Sequence, residues 1–108
     1  MERIERTAIR NLIHNEQYCR KVLPFIKEEY FTDRLEKVLF TEIYKFVNKY
    51  NNLPTKESLS IEINGNKSIN EDEYKQVTDI LSTLNPEPVN LEWLVETTEK
   101  FCKDRSIH

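Results

Sequence analysis

Between Thr32 and Tyr50 the apolar residues Leu35, Val38, Leu39, Ile43, Phe46, Val47 and Tyr50 recur at steps of three, one, four, three, one and three. That is the one-face repeat of an α-helix, and the strict alternation of a strand cannot produce it. Arg34, Glu36, Lys37, Glu42, Lys45 and Lys49 are assigned to the other faces, while Phe40 and Tyr44 add a second apolar edge one step round. Thr32 or Asp33 is placed to cap the start by accepting a bond from a free backbone N–H. Asn51-Asn52-Leu53-Pro54 closes the element, because Pro54 disfavours the helical region at Leu53. This helix is read as the centre of the fold, with Leu35, Leu39, Ile43, Phe46 and Val47 as its core positions.

The same period recurs on either side. Ile4, Ala8, Ile9, Leu12 and Ile13 predict a first helix from about Arg3 to His14. Asn15 caps a short second helix that turns Tyr18, Cys19, Val22 and Leu23 inward and ends at Pro24. Phe25, Ile26, Tyr30 and Phe31 form an apolar cluster expected to pack on the central helix. Thr55 with Ser58 opens a helix carrying Leu59, Ile61 and Ile63. Asn64-Gly65 is a hairpin signal, but Asn66-Lys67-Ser68-Ile69 supplies no second strand. Gly65 is therefore read as a left-handed helix stop, with the hairpin as the alternative. Asn70 and Glu73 resemble a capping box, and Ile69 and Tyr74 a hydrophobic staple, ahead of a face made of Tyr74, Val77, Ile80, Leu81 and Leu84. Asn85-Pro86-Glu87-Pro88 is a stiff turn. Asn90 caps a last helix bearing Leu94, Val95, Thr98, Phe101, Cys102 and Arg105. Trp93 is a core or hinge aromatic, or a partner anchor.

The reading that results is all-α, a compact bundle of about five or six helices. Residues 1–90 are expected to be globular, and residues 91–108 a final helix that does not stop convincingly, as though cut before its continuation. With 108 residues, 38% of them hydrophobic, the chain fits one modest core. A net charge of −3 with no linear block of lysine or arginine argues against strong nucleic-acid binding by this domain alone. No apolar run is long enough to span a bilayer, which predicts a soluble, intracellular protein.

Candidate chemistry is sparse. A zinc site from His14, Cys19, Cys102 and His108 would have unusual ligand spacings, and two reduced, half-buried cysteines are the plainer reading. With a single Gly no phosphate-cradling loop is available, and no nucleophile spacing stands out. No catalytic, cofactor-binding or metal-binding residue is assigned. Taken alone, the residues give a small helical interaction module, for which a free-standing adaptor or regulatory protein is one reading.

Three stretches carry a resemblance. Asn11–Phe31, Phe46–Tyr50 with Leu53-Pro54 after it, and Glu92–Phe101 with Arg105 after it are similar, in order and spacing, to the start of the replicative DNA helicases of T-even-type bacteriophages. More distantly the chain resembles the N-terminal domain of bacterial DnaB helicases, where an acidic residue also precedes an apolar stripe, as Glu5 precedes Ala8, Ile9, Leu12 and Ile13. It departs from that pattern at Arg10, where the bacterial family usually has Gly. The resemblance implies the N-terminal collar domain of a ring-shaped hexameric helicase in the host bacterium's cytoplasm. It further implies association with other subunits, largely through a helical hairpin after the globular part, and contacts with primase and the helicase loader. ATP or GTP and Mg would serve a motor domain downstream. Trp93, Phe101, Arg105 and Ile107 are the candidate partner-facing residues.

Overall fold

Helix α3 (Arg34–Tyr50) crosses the middle of the molecule, and at about 1.5 Å per residue its length nearly matches the short dimensions of a body measuring 36 × 30 × 29 Å. The structure, a computed structural model, describes residues 2–107. Around α3 lie α1 (Ile4–His14), α2 (Glu16–Val22), a 3-10 turn (Glu28–Tyr30), α4 (Lys56–Asn64), α5 (Glu71–Thr83) and α6 (Leu91–Ser106). No strand occurs among the described residues, so the hairpin alternative at Asn64-Gly65 falls away.

The helix starts follow from capping chemistry. Asp33 Oδ1 accepts from the backbone N–H of Leu35 at 2.8 Å and of Glu36 at 3.1 Å. Asn15, Asn70 and Asn90 cap α2, α5 and α6 by accepting from Tyr18, Glu73 and Trp93. Thr55 with Ser58, and Asn70 with Glu73, form reciprocal capping boxes. α3 stops at the expected Asn51-Asn52-Leu53-Pro54, whereas the stop at Gly65 differs from expectation. Asn51, at φ 52° and ψ 38°, ends α3 in the left-handed region that Asn tolerates, ahead of Pro54. Arg20 holds it there, donating to Asn51 Oδ1 at 2.8 Å and to its carbonyl at 3.0 Å. Gly65 is right-handed, at φ −83° and ψ −4°, and its N–H still bonds back to Ile61 and Glu62. A left-handed stop is not needed there.

The core is continuous through Ala8, Ile9, Leu12, Tyr18, Val22, Phe31, Leu39, Ile43, Leu59, Ile63, Val77, Leu81, Leu84 and Leu94. Phe31 stacks on Phe40 at 5.1 Å between ring centroids. Leu39 and Ile43 are fully buried, Val47 is buried and Leu35 is partly so. Phe46 departs from expectation: it is half-buried and lies outside the core, because it lines an open groove between α3 and the end of α4 with the turn that follows it. Tyr50 is exposed, and so is Ile61, which lies about 200° round α4 from the buried Leu59 and Ile63.

Two assignments of charge are corrected. Glu36 and Glu42 are buried, not solvent-facing. At about 100° per residue Glu36 falls between Ile43 and Val47 on the wheel, within the apolar face of α3.

Candidate interaction surface

Helix α6 carries the candidate partner-facing residues, and its inner face is fixed first. Leu94, Thr98, Phe101 and Cys102 are buried. The Tyr18 hydroxyl and Thr98 Oγ1 are 2.8 Å apart, and Thr98 donates to the Leu94 carbonyl at 2.7 Å. This pair satisfies two hydroxyls that would otherwise be stranded in an apolar interior. Burial raises the Tyr18 phenol well above its ordinary value, against the opposing pull of the Thr98 bond. Burial also pushes both thiols, Cys19 and Cys102, up to about 11. They behave as small apolar residues rather than nucleophiles.

The four candidates are not brought together. Phe101 is turned inward, 6.2 Å from the Phe31 ring, because it sits two turns along the face begun by Leu94. Arg105 is half-buried and occupied internally. Its guanidinium donates to the Tyr30 carbonyl at 2.6 Å and to Glu5 at 3.0 Å, and lies 4.8 Å over the Phe101 ring. Trp93 is 55% exposed and Ile107 76% exposed. Trp93 lies about 100° off the buried stripe, which excludes it from the core. Glu96, Lys100 and Lys103 lie exposed between Trp93 and Ile107, so the two make separate apolar spots and no continuous patch.

Sequence reasoning missed a buried charge cluster. Arg3 and Arg6 both donate to Glu36 Oε2, Arg6 at 3.0 Å. Glu5 accepts from Arg105 and also lies 3.6 Å from Arg3. The cluster joins the start of α1, the face of α3, the 3-10 turn and the last turn of α6. Glu36 Oε1 has no hydrogen-bond partner. A second cluster holds Arg10, nine-tenths buried, between Glu2 and Glu87, the latter at 3.1 Å. Arg10 thus ties α1 to the Pro-flanked turn before α6. The periodicity of α1 gives no hint of either arrangement, since the partners come from distant parts of the chain.

No group of three or more His, Cys, Asp or Glu side chains is arranged to hold a metal among the described residues. His108, invoked for the zinc alternative, lies outside them. His14 has another use: its Nε2 lies 2.6 Å from the Leu84 carbonyl, which can only accept, so the ring donates there.

A groove opens beside α3. It measures about 440 Å³ and is lined by Glu42, Lys45, Phe46, Lys49 and Tyr50 of α3 facing Glu62, Gly65, Asn66 and Lys67. Asn66 Nδ2 donates to Glu42 across it at 3.3 Å. The linear sequence hides this groove because Lys67 arrives from the α4–α5 turn.

No helix is long and apolar enough to cross a membrane among the described residues. No family model matches the chain. Over 97 residues it is 34% identical to a DnaB-like replicative helicase of Enterobacteria phage T4, a match that takes in 90% of this chain and 20% of that protein. The chain therefore spans about a fifth of the length of the relative it matches. The chain is thus similar in sequence to the N-terminal part of a DnaB-like replicative helicase of Enterobacteria phage T4.

Proposed function

We propose that this domain is the N-terminal collar of a hexameric replicative DNA helicase, supporting ring assembly and contacts with primase and the helicase loader. The observation that carries the reading is 34% identity spread over nine-tenths of the chain and falling on one-fifth of a DnaB-like helicase. An all-α body with the Tyr18 and Thr98 hydroxyls, both thiols and the Arg105 guanidinium used internally is consistent with a scaffold. In this reading residues 1–90 form the globular tier and α6 leads toward a helical hairpin that packs between subunits. Trp93 and Ile107 are the α6 side chains left free for a partner, and Arg105 holds α6 on the globule.

Nucleotide and Mg²⁺ belong to a motor domain outside this chain. One Gly and no phosphate-cradling loop give a nucleotide no seat here, so the domain itself is not assigned an enzymatic step. It works in the cytoplasm of the host bacterium and binds nucleic acid weakly at most when alone.

The test is oligomeric state at two lengths. A specific interface usually buries about 1,200–2,000 Å² in total. Two separate exposed side chains on α6 cannot supply that. Residues 1–108 should be monomeric, or weakly dimeric, at micromolar concentration by light scattering, and extension through the following helices should raise the state. A stable hexamer from residues 1–108 would move the main interface onto the globular body. No change on extension would favour a free-standing adaptor.

A further inference from the structure

We propose that the groove between the C-terminal half of α3 and the α4–α5 turn is a docking site for an acidic peptide segment of a partner protein. That segment carries a large apolar side chain between its carboxylates. The inference rests on this groove and not on the helicase reading.

The first observation is an apolar stripe that outruns its cover. Leu39, Ile43, Phe46 and Tyr50 follow one another at i, i+4, i+7 and i+11, the repeat of a single helix face. Leu39 and Ile43 are fully buried, whereas Phe46 is half-buried outside the core and Tyr50 is 51% exposed. Their rings touch, with centroids 4.7 Å apart and planes 49° to each other. They form an aromatic platform in the groove wall, the kind of surface on which interface energy concentrates.

The second observation is charge. Lys45, Lys49 and Lys67 line the same groove. Lys45 lies 3.6 Å from the buried Glu42, while Lys49 and Lys67 make no ion pair among the described residues. Lys49 Nζ sits 5.3 Å from the Tyr50 ring centroid, held over the platform. Two free ammonium groups beside an apolar seat, in a chain of net charge −3, complement a ligand with carboxylates on either side of one apolar residue.

The sign pattern favours a peptide over a nucleic-acid strand. Glu62 and Glu42 also line the groove, interleaved with the lysines. A strand carries a phosphate at every step and would meet those carboxylates. A peptide can place its acids opposite Lys49 and Lys67 and leave the intervening positions neutral.

The experiment pans a displayed random-peptide library on the intact domain and maps the enriched peptides by amide shifts, with an oligo-dT strand as the control polyanion. Enriched peptides should be acidic around one large apolar residue and should shift amides at 45–50 and 62–67. Lys49→Glu with Lys67→Glu should weaken them about ten-fold or more. Lys100→Glu with Lys103→Glu on α6 should change binding less than about two-fold. Circular dichroism confirms that each variant is folded, and the mapping on the unaltered domain does not depend on the variants. No enrichment, neutral or basic sequences, or shifts centred on Trp93 would overturn the proposal. So would oligo-dT moving the same amides when acidic peptides do not.

Discussion

Removing the two arginines that face Glu36 should cost far more than removing Glu36 itself. The Glu36 side chain is fully buried, whereas those of Arg3 and Arg6 are 50% and 27% exposed. In Arg3→Ala/Arg6→Ala a carboxylate stays in the apolar face of α3 with no cation beside it. Breaking a buried pair in this sense typically costs about 3–5 kcal/mol. In Glu36→Leu the arginines swing into water, and a side chain of similar bulk joins Leu39, Phe40 and Ile43. That variant should fall within about 1 kcal/mol of wild type, or above it, because a well-packed hydrophobe often matches a buried ion pair. The triple variant, with both arginines removed and Leu at position 36, should recover most of the loss. Urea unfolding followed by circular dichroism reads this directly. With a slope near 1–2 kcal/mol/M for a chain of this size, the arginine pair variant should lose about 2–4 M in midpoint. Total stability is typically about 5–15 kcal/mol, so that variant stays measurable. The reasoning fails if the double arginine variant unfolds within about 0.5 kcal/mol of wild type, or if Glu36→Leu is the costlier change.

Leu39→Ala should cost about 2–5 kcal/mol by lost transfer energy plus a cavity. Phe46→Ala should cost well under that, since its ring lies outside the core; equal losses in thermal melts would contradict the packing described. Gly65→Ala should be neutral or stabilising by up to about 1 kcal/mol. Its φ is negative and an added Cβ would meet only the Glu62 carbonyl at 3.5 Å, so a marked loss in a urea titration would restore a left-handed stop. Stability should decline in alkali. Cys19 and Cys102 titrate near 11 when folded against an ordinary 9, and Tyr18 is raised as well. Above pH about 9 the unfolded chain gives up protons that the folded chain keeps, so unfolding is favoured as pH rises through the folded values. A urea midpoint unchanged between pH 8 and 11 would refute this, as would rapid thiol labelling of the folded protein at pH 8.

Local chemistry was legible wherever a feature depends on near neighbours. Asn15, Thr55, Asn70 and Asn90 cap helices where the sequence places caps, because each bond spans three residues. The apolar periods gave the helices and most of the core for the same reason. What escaped depends on distant residues. Glu36 looked solvent-facing because nothing local reveals that Arg3 and Arg6 reach it across 33 and 30 positions. Arg105 looked free because Glu5 stands 100 residues away. Phe46 and Tyr50 obey the period of α3, but period alone does not say where the covering helices run out. Trp93 was drawn toward the core by its size, although its quarter-turn offset from Leu94 already pointed outward.

The central claim is that this domain is one tier of a helicase ring. Native mass spectrometry on the whole product of its gene, with nucleotide and Mg²⁺ present, tests that most directly. The account predicts a species of six subunits, each much heavier than 13.0 kDa, that loses its ring when residues 1–108 are deleted together with the hairpin that follows them. A product of 13.0 kDa alone, or a ring that is equally stable without the domain and its hairpin, would contradict it.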